Sequence, residues 1–386
     1  MKPAAAPVVL HLAVDYPNLY RPENTLAVRN FVDAAAGPQH LVVALTRSAN
    51  PFAVAAADGD GQGDARIVSM RYWGLPFGLL LALSMFIVAL RVRLLLARRG
   101  LRPLIVHAHK FSFEGLAGWW LARWARVPLV LSVRGEAESK VLRYKPLYRP
   151  LLQRVLQDAA RIYYVSAWFR PLMRRHFRVA DAAERLLPNF VARPAAAAVG
   201  VPHIDRLVTV LDLNVYRKKG LDRLLPALLA CRERYPRVHL DIVGRGSVEA
   251  TAEVRHLIER LGLDAQVSLI GPLGHAELLA RLPSYAGLVL PSHNETFGMV
   301  YVEALLACVP ILHSRGTGID GFVDFVEARV AVDPMHVAAV AAGLERLLAH
   351  QGEWREWLKT HRAQVAAEFD QRRYVVEYLE LVGQCA

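Results

Sequence analysis

In Leu288-Val289-Leu290-Pro291-Ser292-His293-Asn294-Glu295-Thr296-Phe297-Gly298-Met299-Val300-Tyr301-Val302-Glu303-Ala304 an apolar run ends at Leu290, a polar loop follows, and a second apolar run opens near Phe297 or Gly298. The first run has the length of a buried strand, and the second reads as a buried helix. In an open α/β sheet, ligands sit where such loops leave the carboxyl ends of the strands. The helix start offers backbone N–H groups and a positive dipole end, a seat for a diphosphate, and Gly298 lets a ligand approach the backbone. Glu295 precedes the helix and Glu303 lies one to two turns into it, so the two carboxylates can reach different parts of one extended ligand. One carboxylate can accept both hydroxyls of a ribose while the other grips hydroxyls of a transferred group. A capping Glu295 and a solvated helical Glu303 fit the same spacing.

Working outward, short apolar runs alternate with helical stretches along the whole chain. Strands are expected at Val8–Val14, His40–Leu45, Arg66–Met70, Leu104–Ala108, Leu129–Val133 and Arg161–Val165. After an Ala- and Pro-rich stretch the rhythm restarts with strands at Leu207–Leu211, Val238–Val243, Gln266–Ile270 and Gly287–Leu290, separated by helices at Asp222–Arg234, Ala250–Leu261 and Ala276–Leu282. Such alternation predicts parallel sheets with crossover helices. At 386 residues the chain exceeds what one core usually organises. The expected division is therefore residues 1–190, a linker over 191–206, a second domain over 207–365 and a final helix over 366–386. That last stretch repeats Phe369, Tyr374, Val375, Tyr378 and Leu381 at roughly helical spacing and is expected to cross back to the first domain.

Hydrophobic residues make up 54% and charged residues 21% of the chain, which excludes a disordered protein. The formal charge of +12 points to an anionic partner without choosing it. Nucleic acid is disfavoured, because the arginines cluster beside apolar stretches instead of alternating with exposed aromatics. Trp73–Leu90 holds 18 consecutive uncharged residues and is followed by Arg91, Arg93, Arg98 and Arg99. A membrane span, a buried crossover helix and a helix lying in an anionic membrane surface all fit this segment, with 73–99 expected to be membrane-proximal; a span would tear one sheet across the bilayer. The N-terminus lacks the apolar core of a signal peptide, and Cys231, Cys308 and Cys385 share no metal or redox spacing, so a cytoplasmic location is expected.

Glu295 and Glu303 form an E-x7-E pair within Pro-Ser-x-x-Glu-x-Phe-Gly-x-x-x-x-Glu-Ala, and this resembles the family 4 retaining glycosyltransferases of the GT-B fold, the bacterial group 1 glycosyltransferases. Lys219-Gly220 with Asp222, Ile242-Val243-Gly244-Arg245-Gly246, Val267-Ser268-Leu269-Ile270-Gly271 and Gly316-Thr317-Gly318-Ile319 follow in the family's order. Val106-His107-Ala108-His109, Val127–Gly135, Val165-Ser166 and Pro188-Asn189 resemble it in the first half. The resemblance implies an α/β architecture of two Rossmann-like domains facing a central cleft, with a nucleotide-diphosphate sugar as donor substrate and no cofactor. It implies that Glu303 holds the ribose, that Glu295 contacts the donor sugar as a catalytic residue, and that the backbone at Phe297, Gly298 and Met299, together with Gly244, touches the nucleotide sugar. Lys219 would neutralise the departing diphosphate, since a fixed cation stabilises that charge more in the transition state than before it.

The chain departs from the family in places. An arginine usually stands five or six residues before the lysine, where this chain has Leu213 and Asn214; Arg217 or Lys218 could supply the second cation. The glycine-rich loop after the first strand is replaced by Asp15–Thr25, and Arg134 stands where many relatives carry a histidine. Arg134 cannot be a general base; it either grips an anion or pairs at the surface with Glu136 or Glu138. His109, ending its strand, is expected near the acceptor hydroxyl as a proton shuttle, with His107 on the other face and packed. Asp58-Gly59-Asp60 reads as a solvated turn, no metal site is expected, and the missing third glycine after Gly244-Arg245-Gly246 argues against a dehydrogenase. The expected function is transfer of a sugar to a glycan or glycolipid acceptor at an anionic membrane surface, in bacterial surface polysaccharide synthesis. A nucleotide-sugar epimerase of the same fold and a catalytically inactive binding protein are the competing expectations.

Overall fold

The computed structural model describes residues 5–191 and 203–385. Most of the expected linker, 192–202, lies outside the described residues, and its last part is already strand, which begins at His203. The chain forms two compact units: Met1–Val165, Phe169–Phe190 and Asp370–Ala386 make the first, and Ser166–Trp168 with Val191–Phe369 the second.

In the first unit, strands β1 (Ala6–Ala13), β2 (His40–Ser48), β3 (Ala55–Asp58), β4 (Ile67–Trp73), β5 (Leu101–Ala108), β6 (Leu129–Val133), β7 (Ala159–Tyr164) and β8 (Glu184–Leu186) pair in the order β3-β4-β2-β1-β5-β6-β7-β8. Every pairing is parallel except that of the edge strand β3. Helices α1 (Ala27–Ala34), α2 (Leu81–Arg99), α3 (Glu114–Ala125), α4 (Glu136–Tyr144), α5 (Arg149–Gln157) and α6 (Arg170–His176) connect them. Central strands such as β6 are buried along their whole length, which is why they read as unbroken apolar runs. The winding reverses between β1 and β5, so the loops leaving these strands diverge and leave a crevice.

The segment considered for the membrane divides into the end of β4, a turn, and α2. The inner face of α2, with Leu81, Met85, Val88, Val92 and Leu96, is buried as a crossover helix should be. Its outer face carries exposed Leu83, Ile87, Leu90 and Leu94 at i, i+4, i+7 and i+11. Phe86 packs edge-on against Trp120 and Trp124 of α3, and the Arg93 guanidinium lies 5.2 Å from the Trp124 ring. Among the described residues no helix is long and apolar enough to cross a membrane.

The second unit repeats the plan with β9 (His203–Val210), β10 (His239–Val243), β11 (Val267–Gly271), β12 (Tyr285–Leu290), β13 (Ile311–Ser314) and β14 (Arg329–Val332), all parallel, in the order β11-β10-β9-β12-β13-β14. Helices α7 (Leu221–Cys231), α8 (Val248–Arg260), α9 (His275–Arg281), α10 (Met299–Leu306) and α11 (Val337–Glu368) complete it. This is the doubly wound order of a nucleotide-binding sheet, with its reversal between β9 and β12. The final helix is shorter than expected: residues 366–368 still belong to α11, and Asp370 caps α12 (Gln371–Gly383) by accepting the Arg372 N–H at 3.0 Å. Tyr374, Val375, Tyr378 and Val382 of α12 join the core of the first unit beside Val9, Phe31 and Tyr163.

Candidate active site

The loops that leave β9 and β12 lie in direct contact. Gly220 sits at φ 77°, and a Cβ there would come within 1.9 Å of the Pro291 carbonyl oxygen, so only glycine permits the approach. Beside it the His293 N–H donates to the Lys218 carbonyl at 2.9 Å. This stitching brings Lys219 Nζ to 2.5 Å from Glu295 Oε2. A third loop, leaving β13, fixes Glu295 from the other side. The Glu295 N–H donates to Thr317 Oγ1 at 2.7 Å, and its carbonyl accepts from the Thr317 hydroxyl at 3.0 Å and the Gly318 N–H at 2.9 Å. The backbone of Glu295 is thus fixed on both sides, while its carboxylate takes the Thr296 N–H on Oε1 at 3.2 Å and turns Oε2 to Lys219.

Helix α10 starts at Met299, with Gly298 at φ 77° as its N-cap, one residue later than the sequence suggested. Phe297 is fully buried and packs edge-on against Phe322 and Phe369, so its ring belongs to the core and only its backbone can face a ligand. The Tyr301 hydroxyl donates to the Leu290 carbonyl at 2.5 Å, closing the first turn onto the strand end. Glu303 is not a solvated helical residue: it is buried, and His275 Nε2 donates to its Oε1 at 2.9 Å. Sequence reading missed His275, although it opens α9 just beyond the carboxyl end of β11, where the rule for open sheets places ligand contacts. Arg217 does not join Lys219. Its Nε donates to the Tyr216 hydroxyl at 2.9 Å and its guanidinium faces Glu253 at 3.6 Å, because Tyr216 and the α8 carboxylate offer it a stacking face and a counter-charge. Gly244 ends β10 at φ 153°, where a Cβ would lie 1.7 Å from the Leu211 carbonyl oxygen; this close approach joins the loops after β9 and β10.

In the first unit His109 is buried within a group of histidines. His40 Nε2 bonds the Ala35 carbonyl at 2.8 Å, His11 Nε2 bonds His40 Nδ1 at 2.9 Å, and His109 Nε2 bonds His11 Nδ1 at 3.1 Å. Burial holds all three rings below the usual histidine range, and hence neutral. A carbonyl only accepts, so the chain of bonds sets every tautomer: each ring carries its proton on Nε2, and the free lone pair of His109 is on Nδ1. His107, expected on the opposite face, stacks on His109 with ring centres 4.0 Å apart, since residues i and i+2 of a strand share a face. Ring nitrogens of His11, His107 and His109 lie within 4.8 Å of one another, an arrangement that could ligate a metal and that linear spacing could not register across two strands.

Arg134 is buried, not a surface residue: its Nε donates to the His109 carbonyl at 3.2 Å and Nη1 to Asn189 Oδ1 at 3.4 Å. Asp60, expected in a solvated turn, is also buried; it accepts the Gln62 and Asp64 N–H groups and faces Arg29, and so organises its loop. Glu114 and Glu138 are buried near Lys110, which pairs with Asp15 at 2.7 Å, and desolvation pushes both carboxyls up to about 7. Among the described residues neither Glu138 oxygen has a side-chain hydrogen-bond partner. A carboxyl whose folded pKa is raised gives stability below its unfolded pKa and loses it as pH rises through the folded value. Thermal stability is therefore expected to fall between about pH 4.5 and pH 7, by up to roughly 3 kcal/mol per group. Melting curves of Glu138→Gln across that range should show a clearly shallower decline than the parent protein; an identical decline refutes the assignment.

Residues 209–364 match the family described as "Glycosyl transferases group 1", and residues 25–190 match the "Glycosyl transferase 4-like domain". The chain is similar to glycogen synthase of Mycobacterium tuberculosis, with 25% identity over 320 residues covering 78% of this chain and 72% of the relative. It is similar also to the D-inositol 3-phosphate glycosyltransferase of Nocardiopsis dassonvillei, with 27% identity covering 73% and 70%. Among solved structures, sucrose-phosphate synthase of Thermosynechococcus elongatus superposes with a TM-score of 0.71 at 20% identity, covering 98% of each chain. The Anabaena protein HepE, solved in complex with UDP and glucose, superposes at 0.68 and 16%, covering 98% of this chain and 99% of that one. With the doubly wound sheet in each unit and the Glu295–Glu303 helix start in place, the chain belongs to the group 1 glycosyltransferases of the GT-B fold.

Proposed function

We propose that this glycosyltransferase moves a sugar, with retention at the anomeric carbon and without a metal ion, from a nucleoside-diphosphate donor to a lipid-linked or membrane-proximal glycan at the cytoplasmic membrane surface, in bacterial surface polysaccharide synthesis. The observation that carries the donor half is the meeting of Lys219, Glu295 and the start of α10 at the reversal between β9 and β12. A diphosphate seated on the first turn of α10 lies beside the Lys219 ammonium, which offsets charge as the sugar–phosphate bond breaks. Glu303, whose Oε1 takes a hydrogen bond from His275, is the carboxylate that accepts the ribose hydroxyls in this reading. The UDP complexes of HepE support a nucleotide donor. For the acceptor half, the exposed apolar stripe of α2, its terminal Arg98 and Arg99, and the Trp120–Trp124 pair form the kind of face that lies in an anionic bilayer surface.

The donor half is tested by nucleotide-dependent melting, because only a ligand that prefers the folded state raises Tm. One of UDP, ADP and GDP should raise it at saturation, and Glu303→Ala should weaken that nucleotide by roughly 10- to 100-fold, the loss of a charged hydrogen-bonding partner. Proton NMR of the product from that donor should show the donor's anomeric configuration. Inversion rejects the retaining reading. Donor interconversion without acceptor marks an epimerase, and binding without turnover an inert relative.

A further inference from the structure

Within the first unit a cavity of about 460 Å³ opens at the carboxyl ends of β1, β2, β4 and β5. Three cations line it, Arg21, Arg47 and Lys110, and no carboxylate does among the described residues. Lys110 is already paired with Asp15, whereas Arg47 gives one N–H to the neutral Leu75 carbonyl at 3.1 Å, and among the described residues no carboxylate meets its charge at ion-pair distance. On the α2 side lies Ser84, only 2% exposed, whose hydroxyl has no hydrogen-bond partner among the described residues. A buried unpaired hydroxyl costs free energy until something binds it. The remaining wall is apolar, with Leu75, Leu79 and Leu81. Leu79 is 59% exposed and leads, through exposed Leu80 and Leu83, onto the outer apolar stripe of α2. The polar and apolar halves are thus joined into one continuous path from an arginine-lined pocket to an open greasy face.

That combination selects a chemical class. A free phosphate uses the arginines and leaves the leucines wet; a neutral lipid covers the leucines and strands the charge of Arg47. An amphiphile with an anionic head satisfies both, because apolar burial and charge-assisted hydrogen bonds then add in one ligand. We infer that this cavity binds the phosphate head of a lipid acceptor, held by Arg21 and Arg47 with a hydrogen bond to Ser84, while its hydrocarbon chain leaves past Leu75 and Leu79 along α2. The inference rests on the glycosyl-transfer reading for its place in the reaction, since the bound head would present the hydroxyl or phosphate oxygen that receives the sugar; the binding itself stands apart from that reading.

The probe is farnesyl phosphate, titrated calorimetrically below its micelle concentration into the full chain, with farnesol and inorganic phosphate as separate arms. Farnesyl phosphate should bind the parent protein at least tenfold more tightly than either arm. Arg47→Glu and Leu79→Asp, both at exposed positions, should each weaken it tenfold or more while nucleotide binding and melting temperature stay unchanged. Equal affinity in the variants overturns the site. If inorganic phosphate matches farnesyl phosphate, the lipid part is overturned, and if farnesol matches it, the anionic part is. Binding of farnesyl phosphate by a protein that ignores every nucleotide would sink the donor reading and leave this one intact; the reverse result would sink this one alone.

Discussion

Glu295→Ala is expected to lower kcat by about 10²- to 10³-fold, the usual loss when a preorganised polar group at the reacting centre is removed. The backbone bonds that position residue 295 run through its N–H and carbonyl to Thr317 and Gly318, so an alanine keeps the loop and removes only the carboxylate. What disappears is the partner of Lys219 at 2.5 Å and the group nearest the sugar in the proposed donor pose. In the proposed pose that contact would strengthen as the sugar–phosphate bond breaks, so the fall should lie in kcat, with the KM for the nucleotide sugar changed little. Steady-state kinetics with the donor identified by melting decide the matter. An unchanged rate removes Glu295 from the reaction, and a rise in KM alone reassigns it to ground-state binding.

Gly244→Ala is expected to destabilise the protein by about 3 kcal/mol or more, in the range reserved for forced backbone displacement. The added methyl would meet the Leu211 carbonyl oxygen at 1.7 Å, and φ 153° disfavours any side chain. Relief requires the ends of β9 and β10 to part, breaking the Leu211 N–H to Val243 carbonyl bond at 3.0 Å and the Leu213 N–H to Arg245 carbonyl bond at 2.8 Å. For a unit of this size the melting temperature should drop by roughly 6–12 °C. Gly316→Ala is the control: its φ of 70° is strained for alanine, yet nothing lies within 4 Å, so it should cost only about 1–2 kcal/mol. Equal melting temperatures for the two variants would show that the close approach at Gly244 carries no energetic weight.

Much of the scaffold was legible because buried parallel strands are apolar on both faces. Leu129–Val133 reads the same in sequence and structure, and β9 to β12 with α7 to α9 fall within a few residues of their expected bounds, whereas β13, β14 and α11 were not foreseen. The edge strand β3 escaped because its Ala55, Ala56 and Ala57 are exposed and carry no alternation. Trp73–Leu90 left its three readings open for a related reason: hydropathy counts apolar residues but does not report that one face of α2 covers the sheet while the other is exposed.

At the site, chain order by itself determined that Glu295 precedes and Glu303 enters a helix at a strand end, since a local pattern of strand, loop and helix is written in consecutive residues. Tertiary structure alone decided which distant groups face them: Lys219 against Glu295, His275 against Glu303, and Arg217 turned toward Glu253 instead. The same holds for His11, His40 and His109, drawn from three parallel strands or strand ends into one line of hydrogen bonds. Local periodicity reports the face a residue occupies, while its partner is chosen by the order in which strands pair, and that order is set by packing the whole sheet.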